Sequence, residues 1–120
     1  MVRDFFHVDD LVDAALLAAV YDGPERVLNV GSGIGRSVRD VVSSIDAMLG
    51  MNGARVIRRP ARAVDVPINV LDVSRIRRVL GWAPRTAWLD GLRDTADWLR
   101  LDGLAQAAAP GIAALAGRVA

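Results

Sequence analysis

A chain of 120 residues that is 52% hydrophobic supplies one small core, and so one domain or part of one. Fifteen basic against fourteen acidic residues leave a net charge of +1, too weak a field to single out nucleic acid or an anionic membrane as partner. Cysteine is absent, His7 is the lone histidine and every basic side chain is arginine, which excludes disulfides, thiol nucleophiles, a P-loop and a Schiff base, and gives a histidine-based metal site no second imidazole.

Val2 to Val8 reads as a short extended segment, followed by a helix capped by Asp9 or Asp10. Leu11, Val12, Ala15, Leu16 and Ala19 recur at helical spacing until Gly23-Pro24. The apolar run Val27 to Val30 then predicts a buried strand that enters a glycine turn, Gly31 to Gly35. A dinucleotide fingerprint requires glycine at its sixth position, where Arg36 stands, so the spacing favours a plain strand-to-helix turn. Ser37 with Asp40 predicts a capping box, Val38 to Leu49 an amphipathic helix, and Gly50 its C-terminal stop. A short strand is expected at Arg55 to Arg59, closed by Pro60, and another at Ile68 to Leu71. A brief helix capped by Ser74 ends at Gly81, and a last helix from Thr86 buries Leu89, Leu92, Ala96 and Leu99 with Trp88 and Trp98 on its flanks. Alternating helices and strands predict α/β architecture with parallel pairing, but a single apolar strand does not make a sheet.

The N-terminus has charges where a signal peptide needs an apolar run. The alanine-rich stretch from Leu104 is broken by Pro110, Gly111 and Gly117 and is too short for a bilayer core of about 30 Å; a cytoplasmic protein is the expectation. Arg55, Arg58, Arg59, Arg75, Arg77 and Arg78 read as solvated faces rather than a nucleic-acid footprint. His7, between apolar residues, reads as a packed, hydrogen-bonded side chain. Arg3 beside Asp4 and Arg62 near Asp65 are the arginines whose surroundings suit bidentate phosphate contacts, although the same residues would also make ordinary surface ion pairs worth about 0 to 1 kcal/mol.

Taken in order, Arg3-Asp4-Phe5-Phe6-His7-Val8-Asp9-Asp10, Leu28-Asn29-Val30-Gly31-Ser32-Gly33, Arg62-Ala63-Val64-Asp65-Val66-Pro67, Asp72-Val73-Ser74, Leu80-Gly81-Trp82, Pro84 and Gly91-Leu92 resemble the C-terminal part of the extended short-chain dehydrogenase/reductase family. Within it, the NAD-dependent nucleotide-sugar epimerases and dehydratases fit, the UDP-glucose 4-epimerases best. The resemblance runs from Arg3 to about Arg100 and implies that Arg3 and Arg62 contact the diphosphate of a UDP-sugar and Asp65 its ribose. Val64 stands where many members have glycine.

The resemblance also implies what is missing. The GxxGxxG loop, the catalytic serine or threonine and the Tyr-xxx-Lys pair precede the matched segment in the family; here Glu25 follows Tyr21 at the lysine position, so no catalytic residue and no cofactor-binding residue is assigned. The expected fold is an α/β C-terminal fragment: one late sheet strand, helices and the small substrate-binding portion, without a complete Rossmann domain. Residues 1–102 form that segment and 103–120 an Ala/Gly-rich tail. The expected function is a truncated or split segment that supplies substrate contacts and is inactive alone, NAD being bound by a separate N-terminal polypeptide and no metal being needed. A non-enzymatic nucleotide-sugar binding or regulatory module, or a fragment without function, are the alternatives.

Overall fold

Strand β1, Val2–Asp4, lies in the middle of a three-stranded sheet, with β2, Gly35–Ser37, on one side and β3, Ile68–Asn69, on the other. The computed structural model describes residues 1–50, 57 and 65–108, with side chains as far as Leu101. The β1–β2 pair is antiparallel, with Val2 opposite Ser37 and Arg3 opposite Arg36, while β1 and β3 run parallel, so the sheet is mixed rather than wholly parallel. Four helices accompany the sheet among the described residues: α1, Val8–Ala19; α2, Val38–Leu49; α3, Ser74–Leu80; and α4, Trp88–Ala108. The expected strand at Arg55 to Arg59 falls outside the described residues apart from Ile57, and so does the end of the expected tail, whose first residues continue α4.

Helix ends follow local chemistry where a side chain can reach its own backbone. Ser37 Oγ accepts from the Asp40 N–H at 3.1 Å and Asp40 Oδ2 accepts from the Ser37 N–H at 3.1 Å, a complete capping box. Gly50 and Gly81 close α2 and α3 with φ of 63° and 62°, left-handed values that glycine adopts without steric cost. Ser37→Ala should destabilise the chain by about 1 kcal/mol, seen as a lower urea midpoint with an unchanged slope.

Two caps differ from expectation. His7, not Asp9 or Asp10, caps α1, its Nδ1 accepting from the Asp9 N–H at 3.4 Å. Val73 is the cap of α3 and makes no side-chain bond; Asp72 Oδ1 instead accepts from the Ser74 N–H at 2.9 Å.

Among the described residues the buried core is Ala14, Val73, Ile76 and Trp82, with Phe6, Leu28, Val30, Leu71 and Leu80 packed against it. Phe6 meets Trp82 edge-on at 6.3 Å. The expected strand Val27 to Val30 forms no ladder among the described residues, although its side chains alternate as in a strand: Leu28 and Val30 turn to the core, while Val27 is 69% exposed. Side chains hold it instead, Asn29 Nδ2 donating to the Asp72 carbonyl at 3.1 Å and Arg75 Nη1 to the Val27 carbonyl at 3.2 Å.

The apolar faces predicted for two helices are also only partly covered. On α1, Asp10 and Ala14 are buried, whereas Leu11, Val12 and Leu16 are exposed. On α4, Gly91 is buried and Leu89 and Leu99 are exposed, because the helix meets the segment after β1 through Trp88, against Phe5, and Gly91, against His7. A methyl group at Gly91 would come within 3.1 Å of the His7 ring, so glycine lets that imidazole lie against the helix.

Candidate functional site

The glycine turn behind β1 is occupied by the chain's own carboxylate. Asp4 Oδ1 accepts from the Ser32 N–H at 2.8 Å and the Ser32 hydroxyl at 2.5 Å, and Oδ2 accepts from the Gly33 N–H at 2.9 Å and the Leu71 N–H at 3.3 Å. Gly33 sits at φ 74°, and a Cβ on Gly31 would come within 2.7 Å of Asp4 Oδ2. Removal from water raises the Asp4 pKa, but the bonds from Ser32, Gly33 and Leu71 outweigh it and hold the carboxyl below its ordinary value. The backbone donors that a pyrophosphate would require at this turn are therefore engaged, and the turn does not fit NAD.

Asp10, in the first turn of α1, plays a parallel part. Buried, it accepts from the Arg85 N–H at 2.9 Å and the Thr86 N–H at 3.2 Å, fastening the loop ahead of α4. Burial raises its pKa, but the bonds from Arg85 and Thr86, aided by the His7 electrostatic contribution, outweigh it, so it too stays ionised to below the ordinary aspartate range. Asp13 reinforces the same loop through an ion pair with the Arg85 guanidinium.

Side chains alternate along a strand, so Arg3 points away from the face that carries Asp4. Its Nη1 donates to the carbonyls of Val2 and Val66, each at 2.8 Å, and the Val2 N–H donates to the Pro67 carbonyl at 2.8 Å. Arg3 is thus brought beside the largely exposed segment that begins at a half-buried Asp65, 63 residues separating Arg3 from its Val66 partner. Arg62 lies outside the described residues. Among the described residues no group of three or more His, Cys, Asp or Glu could hold a metal ion, and no helix is long and apolar enough to cross a membrane.

Sequence reasoning passed over Arg36 and Trp88 as functional neighbours of this face. The Arg36 guanidinium lies 4.6 Å from the centroid of the Trp88 ring, and Phe5 meets the same ring at 6.2 Å and 54°. A cavity of about 460 Å³ opens between them. Strand pairing sets Arg36 opposite Arg3, and the packing of α4 on α2, where the Trp88 indole N–H donates to Ser44 Oγ at 3.2 Å, brings the ring near; Gly35 to Ser37 carries no apolar alternation that would reveal a strand.

No family model matches the chain. The UDP-glucose 4-epimerase of Azospirillum brasilense is 38% identical over 118 residues, a match spanning 92% of this chain and 33% of the relative. The crystal structure of the Thermotoga maritima UDP-glucose 4-epimerase with UDP-glucose superposes with a TM-score of 0.77 at 34% identity, covering 84% of this chain and 32% of that one. The chain belongs to the nucleotide-sugar epimerase/dehydratase family. It corresponds to a C-terminal part of such an enzyme and spans about a third of the length of the curated relatives it matches. A Stenotrophomonas UDP-glucose 4-epimerase with bound NAD and formylated UDP-arabinopyranose gives a TM-score of 0.73 at 35% identity, covering 87% of this chain and 32% of its own. In this epimerase/dehydratase chain the sheet is therefore the small, mixed sheet of an α/β C-terminal segment.

Proposed function

We propose that this chain supplies the substrate-diphosphate contacts of an NAD-dependent nucleotide-sugar epimerase or dehydratase, acting with a cofactor-binding half that carries the NAD loop and the catalytic residues. Arg3 and Arg62 hold the diphosphate of a UDP-sugar and Asp65 its ribose. NAD in the complete enzyme accepts and returns a hydride; the residues of this chain bind and orient the sugar nucleotide. The observation that carries the reading is the meeting of β1 with the Asp65 segment, where the Arg3 guanidinium bonds the Val66 carbonyl at 2.8 Å. Two segments distant in sequence thereby meet, and the residue types they carry, an arginine and an aspartate, suit a phosphate next to a sugar hydroxyl. The uncovered residues of α1 and the unpaired segment at Val27 to Val30 support a second half that adds a strand and covers them.

Joining residues 1–101 to the remaining two thirds of the Azospirillum enzyme tests this. The fusion should interconvert UDP-glucose and UDP-galactose, the isolated chain should not, and Arg62→Ala in the fusion should cut kcat/KM by about 10- to 100-fold, the loss of a charge-assisted phosphate contact. A folded, NAD-binding fusion whose activity is indifferent to Arg62→Ala and Arg3→Ala would overturn the assignment.

A further inference from the structure

Arg3 and Arg36 stand directly opposite each other across the β1–β2 ladder. Residues so paired share a face of the sheet with Cβ atoms about 4.5 to 5.5 Å apart, a placement in which like charges repel. The two guanidinium groups are turned apart: Arg3 bonds the Val2 and Val66 carbonyls, and Arg36 lies over the Trp88 ring at 4.6 Å. Phe5, two residues beyond Arg3 and on the same face, closes on that ring from the other direction. The cavity beside them has Arg36, Arg77 and His7 among its polar walls and, among the described residues, no carboxylate. Arg36, opposed by Arg3 across the ladder, thus lines an apolar-walled cavity of about 460 Å³ that among the described residues holds no carboxylate, an arrangement suited to an anion with an attached flat group.

We propose that Arg36 is a second phosphate-contacting arginine, which leaves the Trp88 ring to join Arg3 on the diphosphate when a nucleoside diphosphate binds. This rests on the reading of Arg3 as a diphosphate contact. A cation stacked on a partly exposed indole is held weakly, whereas a guanidinium on a phosphate makes parallel charge-assisted bonds, so an arriving diphosphate can draw Arg36 from its resting place. The anion also relieves the repulsion between the two opposed cations. Trp88 thus keeps Arg36 ordered near the site in the absence of ligand and loses its cation on binding.

Titrating the 120-residue chain with UDP while following tryptophan emission, with calorimetry in parallel, tests this. A saturable emission change is expected, lost in Trp88→Phe although Trp82 and Trp98 remain. Arg36→Ala and the volume-preserving Arg36→Met should each weaken UDP binding by about tenfold or more, with Arg36→Lys between them and wild type, because lysine keeps the charge without the fork. Inorganic pyrophosphate should compete and uridine should not. Unchanged UDP affinity in Arg36→Ala and Arg36→Met, with weakened affinity in Arg62→Ala, overturns the role of Arg36 and leaves the diphosphate reading standing. The absence of any UDP response at millimolar concentration in the wild-type chain overturns both.

Discussion

Asp4→Ala should destabilise the chain by about 2 to 4 kcal/mol in urea denaturation at neutral pH, one of the two largest losses expected of any single substitution. One carboxylate accepts from the backbone of Ser32, Gly33 and Leu71 and from the Ser32 hydroxyl, so it ties β1 both to the glycine turn and to the segment that follows β3. Alanine leaves those donors without an acceptor in a partly buried place, where water replaces the carboxylate incompletely. Asp4→Asn should cost less, since its carbonyl keeps one set of bonds while its amide confronts N–H groups that need an acceptor. The pH dependence follows from the direction of the pKa. Because the folded value lies below the ordinary aspartate value of 3.8, the contribution is fully present above the unfolded pKa and is lost as pH falls through the lower, folded one. Asp10 acts in the same direction. Wild type should therefore lose stability steeply below about pH 4, and Asp4→Asn should show a shallower acid limb. An acid limb in Asp4→Asn as steep as that of the wild type would mean that the carboxylate is not the tie described.

The part of the fold that could be read from the chain is the part governed by contacts within one turn of helix. Ser37 and Asp40 lie three residues apart and cap α2 as their spacing dictates, and Gly50 and Gly81 stop their helices because the left-handed backbone there suits glycine. What escaped reading depends on partners far along the chain. Asp4 meets Leu71 across 67 positions and Asp10 meets Arg85 across 75, so neither could be recognised as the acceptor it is; Asp10 passed instead for a helix cap. Val27 to Val30 has the composition of a central strand, but a strand exists only through its neighbour, and none pairs with it among the described residues. The apolar stripes of α1 and α4 mark faces meant for burial without saying what covers them. Periodicity identifies a face, and tertiary packing decides whether it is filled. Of the proposed site, Arg3 and Asp65 are offered by residue type and by the family resemblance. Their approach through Val66, and the stacking of Arg36 on Trp88, required the strand register.

Trp82→Ala should cost about 3 to 5 kcal/mol, enough to abolish cooperative unfolding of the chain on its own. Trp82 is 5% exposed and its ring, packed edge-on against Phe6, belongs to a buried core that otherwise comprises Ala14, Val73 and Ile76. Those residues join α1 to α3 and to the loop that Asp10 secures, so a void at position 82 loosens both the helix pairing and the approach of α4. The chain has little reserve to meet such a loss, because much of its apolar surface is uncovered: Leu16 is 65% exposed and Val20 80%. The near-ultraviolet signal of the aromatic cluster should collapse while far-ultraviolet helicity largely persists, the signature of lost packing with retained backbone structure. Trp98→Ala is the control. At 60% exposure on α4 it should change stability by no more than about 0.5 kcal/mol, although it deletes the same number of atoms. In the fusion with a cofactor half, the covered α1 face and the added strand should raise the stability from which Trp82→Ala subtracts, so the variant should regain a cooperative transition there. Equal behaviour of Trp82→Ala in the isolated chain and in the fusion would show that the exposed face of α1 gains nothing from its partner.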